Sequence, residues 1–283
     1  MRHPNAILIT LLIAVACAGF CPSTQGAPTN GSLDWNKGVY TATADTKASK
    51  NTVLTAASAK KKAVSQVIAC VESTLITSFS EGRDLLKNPK VRQAVVTFID
   101  KKGKFSQRTI TVGGIPVVRV SVEVPAVGLV RTMLALANKL HITTGSMAAL
   151  KVSVPTNRLL ILPKEAQKGP FSSVIVDATG LKLQRAMSPK IRRRDGSEVW
   201  GTVTVDPDYV IEKGIVAYCK TMETARKNAR AGDNPLIVQS VGIAGGNFFC
   251  DTVIEDAAAT QLLEEDKVSR FLDKFNVIFV LGE

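Results

Sequence analysis

Asp177 closes the apolar run Val174–Val176 and opens the turn Asp-Ala-Thr-Gly at residues 177 to 180. A carboxylate placed in this way can serve acid hydrolysis when a second carboxylate shares its proton across two closely held loops. The sequence has no second turn of this kind, so a dyad would need two copies of the chain. The other reading is local: an Asp at the start of a turn accepts hydrogen bonds from its own backbone N–H groups. Motif specificity favours that second reading. Asp177, Asp206 and Asp208 still define an enzymatic alternative, a carboxylate-dependent hydrolase of cell-wall or matrix polysaccharide, because any two acids can converge in a fold.

Other bond-making chemistry is scarce. His3 and His141 are the two histidines, and His3 lies in a leader-like segment. Ser-His-Asp and Cys-His mechanisms could therefore draw only on His141, which follows an amphipathic helical stretch and reads as a helix-end or packing residue. Histidine-rich metal sites are excluded on the same count, and there is no Cys-x-x-Cys. The segment GSMAALK lacks the paired glycine and terminal Lys-Ser/Thr of a phosphate cradle. The cluster Ala244-Gly245-Gly246-Asn247 follows a strand pattern but lacks Gly-x-Gly-x-x-Gly spacing and precedes another strand, so it reads as a hairpin turn. Neither a cofactor nor a metal is expected.

Cations are the remaining candidates. Lys60, Lys61 and Lys62 fall in the early turns of a predicted helix, where the helix dipole does not favour positive charge. An external anion would offset that placement, while solvated lysines are the plainer reading. Arg192, Arg193 and Arg194 precede Asp195-Gly196, a two-residue hairpin signal that sets Arg193 opposite Glu198 and Ile191 opposite Trp200. Arg192 and Arg194 are left as anion or partner contacts.

The elements that carry these residues begin after residue 27. Arg2, the apolar stretch Ala6–Phe20 and the small polar residues that follow have the three-part layout of a secretory signal peptide. About fifteen apolar residues are fewer than the roughly twenty of a membrane span. Cleavage after Gly26 or Ala27 is the first expectation. Ala14-Val15-Ala16-Cys17 approximates a lipobox, which makes Cys17 the candidate for lipid attachment instead. Cys70, Cys219 and Cys250 remain beyond the leader; a Cys219–Cys250 bridge and buried free thiols both stay open. Residues 28 to 170 hold 21 Lys and Arg against 8 Asp and Glu, net +13, whereas residues 171 to 283 are net −2. That polarity supports two modules, the basic one suited to an anionic membrane, wall polymer or protein partner.

Residues 28–52 are polar and read as a linker or arm, with Trp35 and Tyr40 able to pin it. A basic module over 53–165 follows. Its first helix carries Ala63, Val64, Val67, Ile68, Val71, Leu75 and Phe79 on one face. A second helix starts at Asn88-Pro89. A hairpin of Gln107–Val112 and Ile115–Val124 buries Val118, Val120, Val122 and Val124, and a helix over Val127–Leu140 comes next. Strands at Leu150–Val154 and Arg158–Leu162 are expected to close this module. The second module, 170–283, is read as strands around the Asp195-Gly196 and Gly245-Gly246 turns, a short helix at Asp206–Lys213, an acidic helix over Asp256–Leu272 and a last strand at Val277–Leu281. The fold class is α+β: two modules, each a small, mainly antiparallel sheet with hairpins packed against helices.

The phrases VIVDATGLKLQRAMSPKIRRRDGSEVWG, KGIVAYCKTMETARKNARAGDNPLIVQSVG and NVIFVLGE resemble a C-terminal segment of bacterial envelope lipoproteins. The earlier AKKKAVSQVIACVESTLITSF and IPVVRVSVEVPAVGLV are similar to the N-terminal domain of flagellar assembly protein T. The resemblance implies an exported, non-catalytic role in the periplasm or at the outer membrane. The expected function is an interaction or assembly module that binds an anionic surface or an envelope protein through its basic first domain.

Overall fold

A computed structural model describes residues 31–142, 149–156, 168–201 and 216–282, and these form two α+β modules in contact. The first is an antiparallel sheet in the order β1 (Ser32–Asp34), β2 (Val39–Lys47), β6 (Ile115–Pro125), β5 (Lys104–Val112). Helices α1 (Thr52–Glu72), α3 (Pro89–Lys102) and α4 (Ala126–Lys139) contribute their apolar stripes to the core on one side of that sheet. Tyr40, Ala42 and Ala44 of β2 alternate inward beside Val118, Val120, Val122 and Val124 of β6. Against them lie Ala59, Ala63, Val67 and Val71 of α1, whose small side chains let helix and sheet approach closely. On the other face Thr43 and Ser121 share a hydrogen bond at 2.9 Å, and Asp45 takes two from Arg119 at 2.7 Å.

The polar stretch 28–52, expected as a linker or arm, is instead part of this sheet. Between β1 and β6, β2 pairs along its whole length, and Tyr40 is wholly buried. Its thin sequence signal has a physical origin: the inward positions are two alanines and one tyrosine, enough under a helix of alanines and valines but too little for an apolar alternation. Asn51 caps α1 by accepting from the Leu54 N–H, and Asn88 caps α3, each cap stabilising its helix by about 1 kcal/mol. The predicted first helix was too long: α1 stops at Glu72, and Leu75–Thr77 forms β3, which pairs with β4 (Ser80–Glu81) before the single-turn helix α2 (Gly82–Leu86).

The second module is built on one eight-stranded sheet. In sequence order its strands are β7 (Lys151–Ser153), β8 (Ser173–Asp177), β9 (Ile191–Arg192), β10 (Glu198–Trp200), β11 (Ala217–Cys219), β12 (Pro235–Gly245), β13 (Phe249–Ile254) and β14 (Val277–Val280). The spatial order is β10-β9-β13-β12-β8-β14-β11, with β7 beside the second half of β12. Two expectations are corrected here. This sheet is mixed, since β8 runs parallel to both β12 and β14, β11 parallel to β14, and β9 parallel to β13. Strand β7 was expected to close the first module but pairs with Ile243–Gly245 of the second. The predicted strand Arg158–Leu162 and helix Asp206–Lys213 lie outside the described residues. Parallel strands buried on both faces read as continuous apolar runs, as SVIV in β8 and VIFV in β14 do. Helices α5 (Met222–Arg226) and α6 (Asp256–Ser269) cover the sheet, α6 through Ala259 and Leu262.

The modules meet along a hydrogen-bonded seam. The carbonyl oxygens of Leu75 and Ile76 in β3 accept from the Met187 and Ser188 N–H groups at 2.9 and 2.8 Å. The Ser78 carbonyl accepts from three successive N–H groups, Gly246, Asn247 and Phe248, at 3.1 Å each. The glycine cluster is thus a hairpin turn, as its spacing suggests, and it clasps the turn between β3 and β4.

Candidate functional site

The end of the first module at which α1 begins combines features that the rest of the described surface lacks. Strand β2 ends at Lys47 beside Val117, and the Ala48 N–H donates to Pro116 at 2.9 Å, so the chain enters α1 next to the tip of the β5–β6 hairpin. That tip is the turn Gly113-Gly114, both glycines with positive φ, which only residues without a Cβ adopt freely. Five large apolar side chains are exposed among the described residues, and four of them lie here: Val53 (76 %), Leu54 (66 %), Val112 (47 %) and Ile115 (46 %). Val53 and Leu54 precede the buried stripe of α1 and are left uncovered by the described residues. Lys47 and Lys50 flank the group, both exposed and, among the described residues, outside any ion pair.

Sequence reasoning reached only the neighbourhood of this site. Lys61 and Lys62 are exposed on α1, about two turns further along. Lys60 is engaged: its Nζ lies 3.1 Å from Asp100 and 4.4 Å from the centre of the Phe105 ring. The exposed apolar group was missed, although Val-Gly-Gly-Ile at a tight turn and a Val-Leu pair outside the helix stripe were both readable.

Other expected contacts resolve differently. Arg192 cannot meet an external anion, because β9 lies inside the sheet between β10 and β13 and the side chain is 1 % exposed. Its Nε donates to Asp251 at 2.7 Å and its Nη1 to the Gly196 carbonyl at 3.0 Å. Asp251 is fully buried and also accepts from the Lys190 N–H at 3.0 Å and from Ser78 at 3.1 Å. Burial pushes its carboxyl above the usual range, and Arg192 opposes that shift. Arg194 makes a two-armed pair with Glu255, which draws that carboxyl below its usual range. Arg193 turns to Asp256 at 3.7 Å, and Glu198 lies opposite Arg192 in place of the expected Arg193, because the Arg193 N–H donates to the Ser197 carbonyl at 2.9 Å and leaves a loop of three residues, 194–196, in place of two; the shift between Glu198 and Trp200 then restores the expected facing of Ile191 and Trp200. Ile191 does face Trp200.

Asp177 caps its own turn, its Oδ1 accepting from the Thr179 N–H at 3.0 Å. His141 ends α4 with φ of 53°. Asp206, Asp208 and Cys17 lie outside the described residues. Cys219 and Cys250 are free thiols, not a bridge: they sit on β11 and β13, on opposite sides of β12 in the strand order. Each sulfur has its own partner, Asn228 at 3.9 Å for Cys219 and Asp251 at 3.7 Å for Cys250. Burial raises both thiols above their usual range, which leaves them weak nucleophiles.

With this geometry in hand, residues 173–283 match a family model described as Treponema pallidum Tp0624, second domain. The match begins at the first residue of β8 and so coincides with most of the second module, which is similar to a domain of a bacterial protein. No curated protein matches the chain.

Proposed function

We propose that the protein is an exported, non-catalytic binding module of the bacterial cell envelope, seated on an anionic membrane surface by the tip of its first module. The observation that carries this reading is the coincidence of Val53, Leu54, Val112 and Ile115 with Lys47 and Lys50 at one end, Lys61 and Lys62 behind them. Exposed apolar side chains inside a basic rim suit the boundary between headgroups and acyl chains. Each lysine held near an anionic leaflet contributes about 1 kcal/mol, so four of them give a useful but salt-sensitive attachment. The charge between residues 31 and 142, 17 Lys and Arg against 7 Asp and Glu, adds long-range attraction.

No described helix is long and apolar enough to cross a membrane, so the attachment proposed is peripheral, with or without a lipid on Cys17. The leader-like N-terminus and the resemblance of the two halves to envelope lipoproteins and flagellar assembly protein T support the periplasm or the outer membrane as the address. The non-catalytic reading is supported by Asp177 and Asp251 being occupied in a turn and an ion pair.

The test is co-sedimentation with phosphatidylglycerol-containing and pure phosphatidylcholine vesicles over a range of salt. Binding is expected to the anionic vesicles only, falling with salt. Replacing Lys47, Lys50, Lys61 and Lys62 by Gln, or Val53, Leu54, Val112 and Ile115 by Ser, should each lower it at least tenfold. Equal retention of both variants would sink the proposal. Mass spectrometry of the mature N-terminus distinguishes cleavage near Gly26 from acylation of Cys17.

A further inference from the structure

A second feature, remote from the hairpin tip, lies where the modules face each other. The loop between β1 and β2, the start of α4, and the strand β11 with the residues after α5 enclose a cleft of about 400 Å³, within the range of small-molecule sites. One wall is Trp35, which meets Tyr218 edge-on with ring centres 5.7 Å apart. The Tyr218 hydroxyl is fixed behind it, accepting from the Ala186 N–H at 3.0 Å and donating to the Ala186 carbonyl at 2.9 Å. Leu33, Val127 and Met187 extend the apolar lining.

Arg230 is the cation of this cleft. Its guanidinium donates to the Phe275 carbonyl at 3.1 Å, and its backbone N–H is held by Asn228 at 3.0 Å. Among the described residues no carboxylate pairs with it, in contrast to Arg119, Arg192 and Arg194. Burial lowers its pKa to about 10, so it stays protonated at neutral pH and bears a desolvation cost that a counter-ion would offset. Arg185 lies 6.0 Å from the Tyr218 ring, and Lys37 stands in the cleft lining. The local field is therefore positive, beside an aromatic plane.

We infer that this cleft binds a small amphipathic acid, its carboxylate or phosphate head against Arg230 and its apolar or aromatic body against Trp35. A planar guanidinium suits either oxyanion, because both present two oxygens to its paired N–H groups. An indole face supplies a large contact area at little entropic cost. This site is independent of the membrane reading, since none of its residues belongs to the hairpin tip.

The test is calorimetric titration of the purified protein with phenylacetate, decanoate and phenyl phosphate, set against 2-phenylethanol and decanol. At least one acid should bind saturably, and its alcohol at least tenfold more weakly. Arg230→Gln should weaken the acid at least tenfold, Arg230→Lys less, and Trp35→Ala should weaken acid and alcohol alike. Preference for carboxylates over phosphate, or the reverse, identifies the head group. Should Arg230→Gln fail to fold, acid-over-alcohol preference in the unmodified protein together with the Trp35→Ala loss decides. Absence of binding by every acid, equal affinity for acid and alcohol, or binding unchanged in a folded Arg230→Gln protein overturns the inference.

Discussion

Ser78 and Asp251, 173 positions apart, share a hydrogen bond of 3.1 Å across the seam between the modules. The Asp251 carboxylate that accepts it also neutralises the buried Arg192, so the contact joins the turn of one module to the interior of the other.

Removing one member of such a pair leaves the other charged in a buried site. Asp251→Asn should therefore lower the unfolding free energy by about 3–5 kcal/mol, read by urea denaturation. An Arg192→Met/Asp251→Leu double variant should recover much of that loss. Ser78→Ala, which removes only a neutral donor, should cost about 1 kcal/mol. A loss below about 1 kcal/mol for Asp251→Asn would contradict the uncompensated-charge argument.

Gly246 offers a second probe of the same seam. A Cβ placed there would meet the Phe79 ring at 2.3 Å, so Gly246→Ala must displace the ring. The expected cost is about 1–3 kcal/mol, as for overpacking elsewhere. In a Phe79→Ala background the same substitution should cost much less, a coupling that a double-mutant cycle measures directly.

Asp45 gives a pH signature to the outer face of the first sheet. The hydrogen bonds from Arg119 hold its carboxyl below the usual range. Its contribution is complete above the unfolded pKa of about 4 and is lost as pH falls through the lower, folded value. Because the Asp45 side chain is 34 % exposed, the discounted worth is roughly 0.5 kcal/mol. Asp45→Asn should lower the melting temperature by about 1–2 °C at neutral pH, with the gap closing in acid. A gap that widens on acidification would contradict the assignment.

Elements with strong local signals were legible in the sequence: the Asn88-Pro89 helix start, the alternating valines of β6, the Gly113-Gly114 turn, and the place, though not the two-residue length, of the turn at Asp195-Gly196. What escaped depended on distant partners. Strand β2 hides in TATADT because its inward alanines are weak strand formers with little apolar surface, and α1 completes the core against them. Arg192 reads as a surface cation until Asp251 arrives 59 positions later. The Val53–Leu54 and Val112–Ile115 pairs, separated along the chain, become one feature only when Ala48 meets Pro116. Arg230 and Trp35 lie in different modules, so no local pattern could join them.

Strand β7 carries a practical consequence for anyone wishing to study the second half by itself. Its three residues zip onto Ile243–Gly245, yet they precede the stretch 173–283 that the family match delimits. A polypeptide trimmed to that stretch would bare a row of peptide groups along β12 and invite sticking between molecules. Starting it at about Leu150 would keep the border closed.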